Sequence, residues 1–257
     1  MKFLWSSFAN CRSCCLDLYI KILFVLLEKV KKLDKVFVET NKMKRQLANL
    51  EIKNVEILVN FKNITPLKEE ELNFNHSKPY KLCTFSRVIQ EKGIEDAIQV
   101  VKNINEEFNE MVYKLDIYGP IDEKYKERFT KIINNTPEYI QYKGCIDSEK
   151  SVNTLKNYYL LLFPTKFKTE GIPGTIIDAL SAGVPIVASR WDNVDEIIID
   201  GINGLIYEFN NLADFYAKLK TMLNCQKVFI IKKNCVECAK NFDSNVAIEP
   251  LTNALIG

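Results

Sequence analysis

From Tyr80 onward the chain alternates short apolar runs with amphipathic stretches. Strand-like Lys81–Phe85 precedes an amphipathic helix from Ile94 to about Phe108; strand Lys114–Tyr118 leads to helix Tyr125–Asn135, and short strand Ile140–Tyr142 to helix Ser148–Asn157. Tyr159–Phe163 is continuously apolar, the pattern of a strand covered on both faces. Helix Thr175–Ala182, strand Pro185–Ala188, a short helix near Val194–Ile198 and strand Gly204–Tyr207 follow. Three further helical patterns end the chain: Leu212–Leu223, Lys227–Phe242 and Val246–Ile256. Ahead of this region lie a β-rich run at Lys35–Thr40, a helix at Asn41–Leu50 and a strand at Val55–Val59. A polar connector from Lys62 to Pro79 joins the two parts. Strands alternating with helices predict an α/β fold, a Rossmann-like open parallel sheet with helices on both faces. In that architecture ligands sit at the carboxyl ends of strands, so the loops leaving strands are the places to look for chemistry.

The first residues change this picture little. Leu16–Leu33 has an apolar core of six residues, Ile22 to Leu27, interrupted nearby by Asp17, Lys21 and Glu28. That is too short and too charged to span a bilayer, and no small-residue cleavage site marks it as a secretory signal. It reads as an amphipathic helix packed on the fold. Its lysines (Lys29, Lys31, Lys32, Lys35) make peripheral contact with the inner face of a membrane the second reading. A cytoplasmic setting follows from the absence of an export signal. Lys and Arg number 35 against 33 Asp and Glu, a balance that argues against nucleic acid as a partner. Of the eight cysteines, Cys11/Cys14 and Cys235/Cys238 have CxxC spacing, but lie too far apart in sequence for a zinc ribbon. Reduced thiols and no metal site are expected. The single histidine, His76, falls in the charged connector and reads as a solvated residue rather than a base.

The segment from Thr169 to Ser189 follows the buried strand and holds the strongest chemistry. Gly171 and Gly174 allow close backbone approach to a ligand, and the helix behind them offers free N–H groups to an anion such as a diphosphate. Helix punctuation accounts for part of the pattern: Thr175 and Asp178 have capping-box spacing, and Gly183 before Pro185 is an ordinary helix stop. Punctuation does not account for Glu170, an acid placed between a buried strand and a Gly-Pro-Gly loop.

Here the sequence resembles the group 1 (family 4) retaining glycosyltransferases of the GT-B fold, whose hallmark is Glu, seven residues, Glu in an E-G-x-P-x-x-x-x-E-A-x-A-x-G-x-P-V-V-A-S pattern. Glu170, Gly171, Pro173, Ala179, Ala182, Gly183, Pro185, Val187, Ala188 and Ser189 match; Asp178 stands where the second Glu is usual. Ser86-Arg87-Val88 and Glu91-Lys92-Gly93-Ile94 are similar to the family's strand-end arginine and K-G pair. Asp116-Ile-Tyr-Gly-Pro120, Tyr142-Lys-Gly-Cys-Ile146 and Asp200-Gly-Ile-Asn-Gly-Leu205 resemble its "i-Y-G-p", "f-x-G-x-v" and "d-G-x-N-G-l" segments.

The resemblance implies a role for each matched position. Arg87 and Lys92 would neutralise the diphosphate leaving group, and Glu170 would contact hydroxyls of the transferred sugar. Backbone at Gly171, Ile172, Pro173, Gly174 and Thr175 would line the sugar and phosphates. Asp178 would bind the ribose hydroxyls, with a side chain one methylene shorter than usual. Backbone at Gly144 and Cys145 would read the base. The substrate would be a nucleotide-diphosphate sugar, UDP- or GDP-linked, with no further cofactor and no metal. The expected reaction is sugar transfer with retention to a glycan or lipid-linked acceptor, commonly in polysaccharide biosynthesis. Residues 1–62 would correspond to a remnant of the N-terminal acceptor domain and 63–257 to the donor-binding C-terminal domain. The family's glycine-rich loop near the start is not found, so activity would call on a partner chain supplying the acceptor domain. The alternative is a truncated, non-catalytic nucleotide-binding or interaction protein.

Overall fold

The computed structural model describes residues 26–63 and 65–256. Residues 26–31 are helical. Residues 16–25 of the predicted amphipathic helix, and Cys11, Cys14 and Cys15, lie outside the described residues. Among the described residues, no helix is long and apolar enough to cross a membrane.

Six parallel strands form the main sheet: β3 (Tyr80–Phe85), β4 (Tyr113–Tyr118), β5 (Ile140–Gly144), β6 (Leu160–Phe163), β7 (Ile186–Ser189) and β8 (Gly204–Tyr207), in the order β5-β4-β3-β6-β7-β8. The order grows outward from β3 through β4 to β5, then returns to its other side with β6. The switch point therefore lies between β3 and β6, where loops diverge and leave a crevice. Leu82 pairs with Leu160 and Cys83 with Leu161 across it. Every residue of β6, β7 and β8 is buried, as continuous apolar runs between two helical layers require.

The helices are α2 (Ile94–Glu107), α3 (Lys126–Asn134), α4 (Ser151–Leu155), α5 (Gly174–Ser181), α6 (Leu212–Thr221), α7 (Cys225–Ala239), α8 (Ser244–Ala247) and α9 (Glu249–Ile256). In α2, Ile94, Ala97, Ile98, Val101 and Ile104 recur on one face and are buried. The element α5 is apolar almost all round, with Ile176 to Ser181 buried between the sheet and α7.

A smaller unit precedes this sheet. Strands β1 (Val36–Val38) and β2 (Val55–Ile57) pair in parallel, with α1 (Asn41–Asn49) between them in sequence. Thr40 caps α1 through Met43 N. Glu196, from the larger unit, accepts from the Asn41 and Lys42 N–H groups at 2.7 and 3.0 Å. The free N–H groups of one unit's helix are thus satisfied by a carboxylate of the other, which fixes their relative placement.

The structure revises several expectations. Ser148–Asn157 divides into a 3-10 turn, Ser148–Lys150, and the short α4. Val246–Ile256 divides into α8 and α9 because Pro250, lacking an N–H, fits only in the first turn of a new helix. The capping box at Thr175 and Asp178 is not formed: Pro173 is the N-cap of α5 and no side chain caps it. His76 is half-buried rather than solvated, its ring edge-on to Tyr159 at 5.2 Å. Burial, reinforced by nearby Lys232, pushes its pKa down to about 4.

Candidate functional site

The loops leaving β3 and β6 meet at the switch point. After β3, the chain passes Ser86 and Arg87 and turns through Gln90–Lys92 into Gly93. Gly93 adopts φ +67°, and a Cβ there would collide with the Pro164 carbonyl of the β6 loop. Glycine is required both by the left-handed turn and by this close approach. The Glu91 carbonyl accepts from Lys166 N at 2.7 Å, tying the two loops together.

Lys92 and Glu170 are brought together by this turn. Lys92 Nζ donates to Glu170 Oε2 at 2.7 Å, with the two side chains only 11% and 18% exposed. The ammonium also stands 5.2 and 5.3 Å from the ring centroids of Phe163 and Phe167, within reach of attraction to the ring faces. Thr165, buried at the end of β6, donates to the same Oε2 at 3.0 Å. Both contacts fall on one oxygen; among the described residues, Glu170 Oε1 has no partner and can accept from a ligand hydroxyl. Arg87 is exposed and forms no ion pair among the described residues. It borders a cavity of about 370 Å³ together with Gln90, Asp122, Lys124 and Phe167.

The Glu170–Thr175 loop is held from several sides. Asn193 Nδ2 donates to the Glu170 carbonyl at 2.6 Å, and its Oδ1 accepts from buried Thr40 at 3.2 Å. Ile172 N donates to Glu39 Oε2 at 3.3 Å, and its carbonyl accepts from Asn60 Nδ2 at 2.7 Å. A Cβ on Gly171 would land on the Glu39 carboxylate, so this glycine makes room for a side chain of the smaller unit. Gly174 and Thr175 open α5, and their N–H groups find no acceptor among the described residues. Such a helix start suits an anion.

Asp178 lies one turn further along α5 and is 3% exposed. Both its oxygens accept from Lys62 Nζ, at 2.7 and 2.6 Å. These two residues border a cleft of about 500 Å³ that extends to Ser148, Glu149 and Asn153. Gly144, with φ +80° and open space where a Cβ would stand, ends β5; the following residue, Cys145, is exposed.

The structure therefore joins Lys92 to Glu170 and leaves Arg87 exposed earlier on the loop that leads to Lys92. Glu39, Asn60, Lys62, Thr165 and Asn193 have no assigned role on sequence grounds. Among the described residues, no group of three or more His, Cys, Asp or Glu side chains could hold a metal ion. Cys235 and Cys238 both lie on α7, the first fully buried and the second half-buried. Burial pushes both thiols up, the condition of packed, unreactive cysteines.

An uncharacterized glycosyltransferase of Methanocaldococcus jannaschii is 28% identical over 197 residues, covering 75% of this chain and 46% of that protein. The chain spans less than half the length of the first curated relatives it matches. A crystal structure of a mutant S. aureus TarM in complex with fondaparinux, α-GlcNAc-glycerol and UDP superposes with a TM-score of 0.74 at 21% identity, over 92% of this chain and 47% of that one. A GtfA/B complex superposes with a TM-score of 0.73 at 22% identity, over 89% of this chain and 46% of that one. These likenesses place the six-stranded sheet and its helices with the Rossmann-like C-terminal domain of the GT-B fold. The family model for "Glycosyl transferases group 1" matches residues 67–242, and the chain belongs to that family.

Proposed function

We propose that this chain carries the donor site of a retaining, family 4-type glycosyltransferase that binds a UDP- or GDP-sugar. The observation that carries this reading is the Lys92–Glu170 pair in the β3/β6 crevice, with one Glu170 oxygen free among the described residues and Arg87 exposed on the loop that leads to Lys92. Arg87 and Lys92 supply positive charge where a diphosphate leaving group would gain negative charge. Glu170 Oε1 accepts from a hydroxyl of the transferred sugar, and the unpaired N–H groups at the start of α5 meet the phosphates. Gly144 and Cys145 line the base. Residues 63–257 form the donor domain, and residues 1–62 belong with an acceptor domain. A partner chain completing that domain over the site would exclude water and hold the acceptor, the acceptor being a glycan or lipid-linked sugar. A GtfA/B complex among the structural neighbours supports a two-chain arrangement.

Calorimetric titration of the purified chain with UDP, GDP and ADP tests the donor site. Saturable binding of at least one is expected, and binding of none sinks the assignment. Glu170→Ala is expected to weaken intact nucleotide-sugar about tenfold more than free nucleotide, the worth of one hydrogen bond to a charged group. Equal losses would remove Glu170 from sugar contact.

A further inference from the structure

In the second turn of the helix that follows the same loop, the acid in the family's second position lies on the cleft wall with both its oxygens engaged. The Asp178 side chain is 5% exposed, whereas that of Lys62, paired to both its oxygens, is 29% exposed. Of the two side chains on the cleft wall, that of Lys62 is therefore the more accessible. An ammonium has three N–H donors, and Asp178 has only two oxygens to receive them, so at least one remains for a ligand.

The backbone of Lys62 is also fixed. Its N–H donates to the Phe242 carbonyl and its carbonyl accepts from Ser244 N, both at 3.2 Å, which pins the connector to the C-terminal segment. The side chain crosses the first residue of α5: a Cβ on Gly174 would come 3.5 Å from Lys62 Cε and 3.9 Å from Nζ. A cation at the positive end of a helix is disfavoured by the dipole, and Asp178 is the charge that holds it there. The result is a donor-rich group, fixed at the wall of the cleft and suited to oxygen acceptors.

We propose that Lys62, rather than Asp178, hydrogen-bonds the ribose oxygens of the donor nucleotide, and that Asp178 is a positioning residue anchoring its ammonium. This assignment rests on the donor-site reading above. It reverses the polarity of the contact: a lysine donates to the ribose where a carboxylate would accept from it.

A double-mutant cycle on the full chain tests it by calorimetry, using whichever of UDP, GDP and ADP the wild type binds together with its 2′-deoxy counterpart. Lys62→Met is expected to weaken the ribonucleotide about 30-fold and Asp178→Asn about tenfold, the range for hydrogen bonds made by charged groups. The double variant leaves no lone buried charge to disturb folding, and should bind no more weakly than Lys62→Met. Preference for the ribo form over the deoxy form should vanish wherever Lys62 is absent. Three outcomes overturn the proposal: equal cost of Asp178→Asn with and without Lys62, Lys62→Met binding as tightly as wild type, or a ribo preference missing from wild type or kept without Lys62. Failure of the wild type to bind any of the three nucleotides removes the donor reading and this assignment with it. Binding with additive losses removes only the role of Lys62.

Discussion

Lys92–Glu170 and Lys62–Asp178 stand at the two ends of one loop-and-helix segment and are assembled in different ways. The first pair joins two loops of the same sheet, 78 positions apart, with its acid on a loop and one oxygen free among the described residues. The second draws its lysine from the connector, 116 positions away, and its acid is buried on a helix with both oxygens engaged. The partly open pair is built within the larger unit alone. The closed one depends on the connector lying where it does, and so joins the connector's position to the site.

The largest expected effect breaks the buried pair. Lys62→Met leaves Asp178 charged and enclosed, and should cost about 3 kcal/mol in urea denaturation, as for other broken buried pairs. Lys92→Met leaves a more exposed carboxylate that Thr165 still contacts, and should cost less, about 2 kcal/mol. Lys62→Met with Asp178→Asn should recover most of the first loss. Equal costs for the two lysines would show that burial is not what separates the pairs.

A smaller effect sharpens the role of the first unit. Gly171→Ala places a methyl group on the Glu39 carboxylate, which can swing aside at the expense of its bond to Ile172 N. About 1 kcal/mol should be lost, and in a Glu39→Ala background nothing further should be lost. A cost that persists without Glu39 would mean the glycine is required for another reason.

Legibility in the sequence follows the same division. The sheet is readable because strands buried on both faces are continuous apolar runs and their helices repeat at 3.6 residues. The predicted Gly204–Tyr207 matches β8 to the residue, and the predicted β6 differs by one residue at its start. Lys92 and Glu170 are readable because each sits in a short motif at a strand end. Glu39, Lys62 and Glu196 are not, since their partners lie 133, 116 and 155 positions away and no local pattern marks such a pairing. Asp178 reads as part of a capping box because its spacing from Thr175 fits one. The bond that competes for its carboxylate comes from outside the helix.

The mildest prediction concerns the connector itself. His76 reads as solvated because its neighbours in sequence are charged, yet it lies against Tyr159 with Lys232 and Lys81 close enough to oppose its protonation. Its folded pKa of about 4 lies below the ordinary 6.5, so between these values the unfolded chain binds more protons. Stability should accordingly be full above pH 6.5 and decline as pH falls toward 4. The His76→Asn variant should flatten that part of the urea-denaturation profile, although its half-exposed position keeps the effect small. Because the same connector carries Lys62, acid should weaken nucleotide binding more in wild type than in His76→Asn. A nucleotide affinity that falls equally in wild type and His76→Asn over this range would separate the connector's packing from the site.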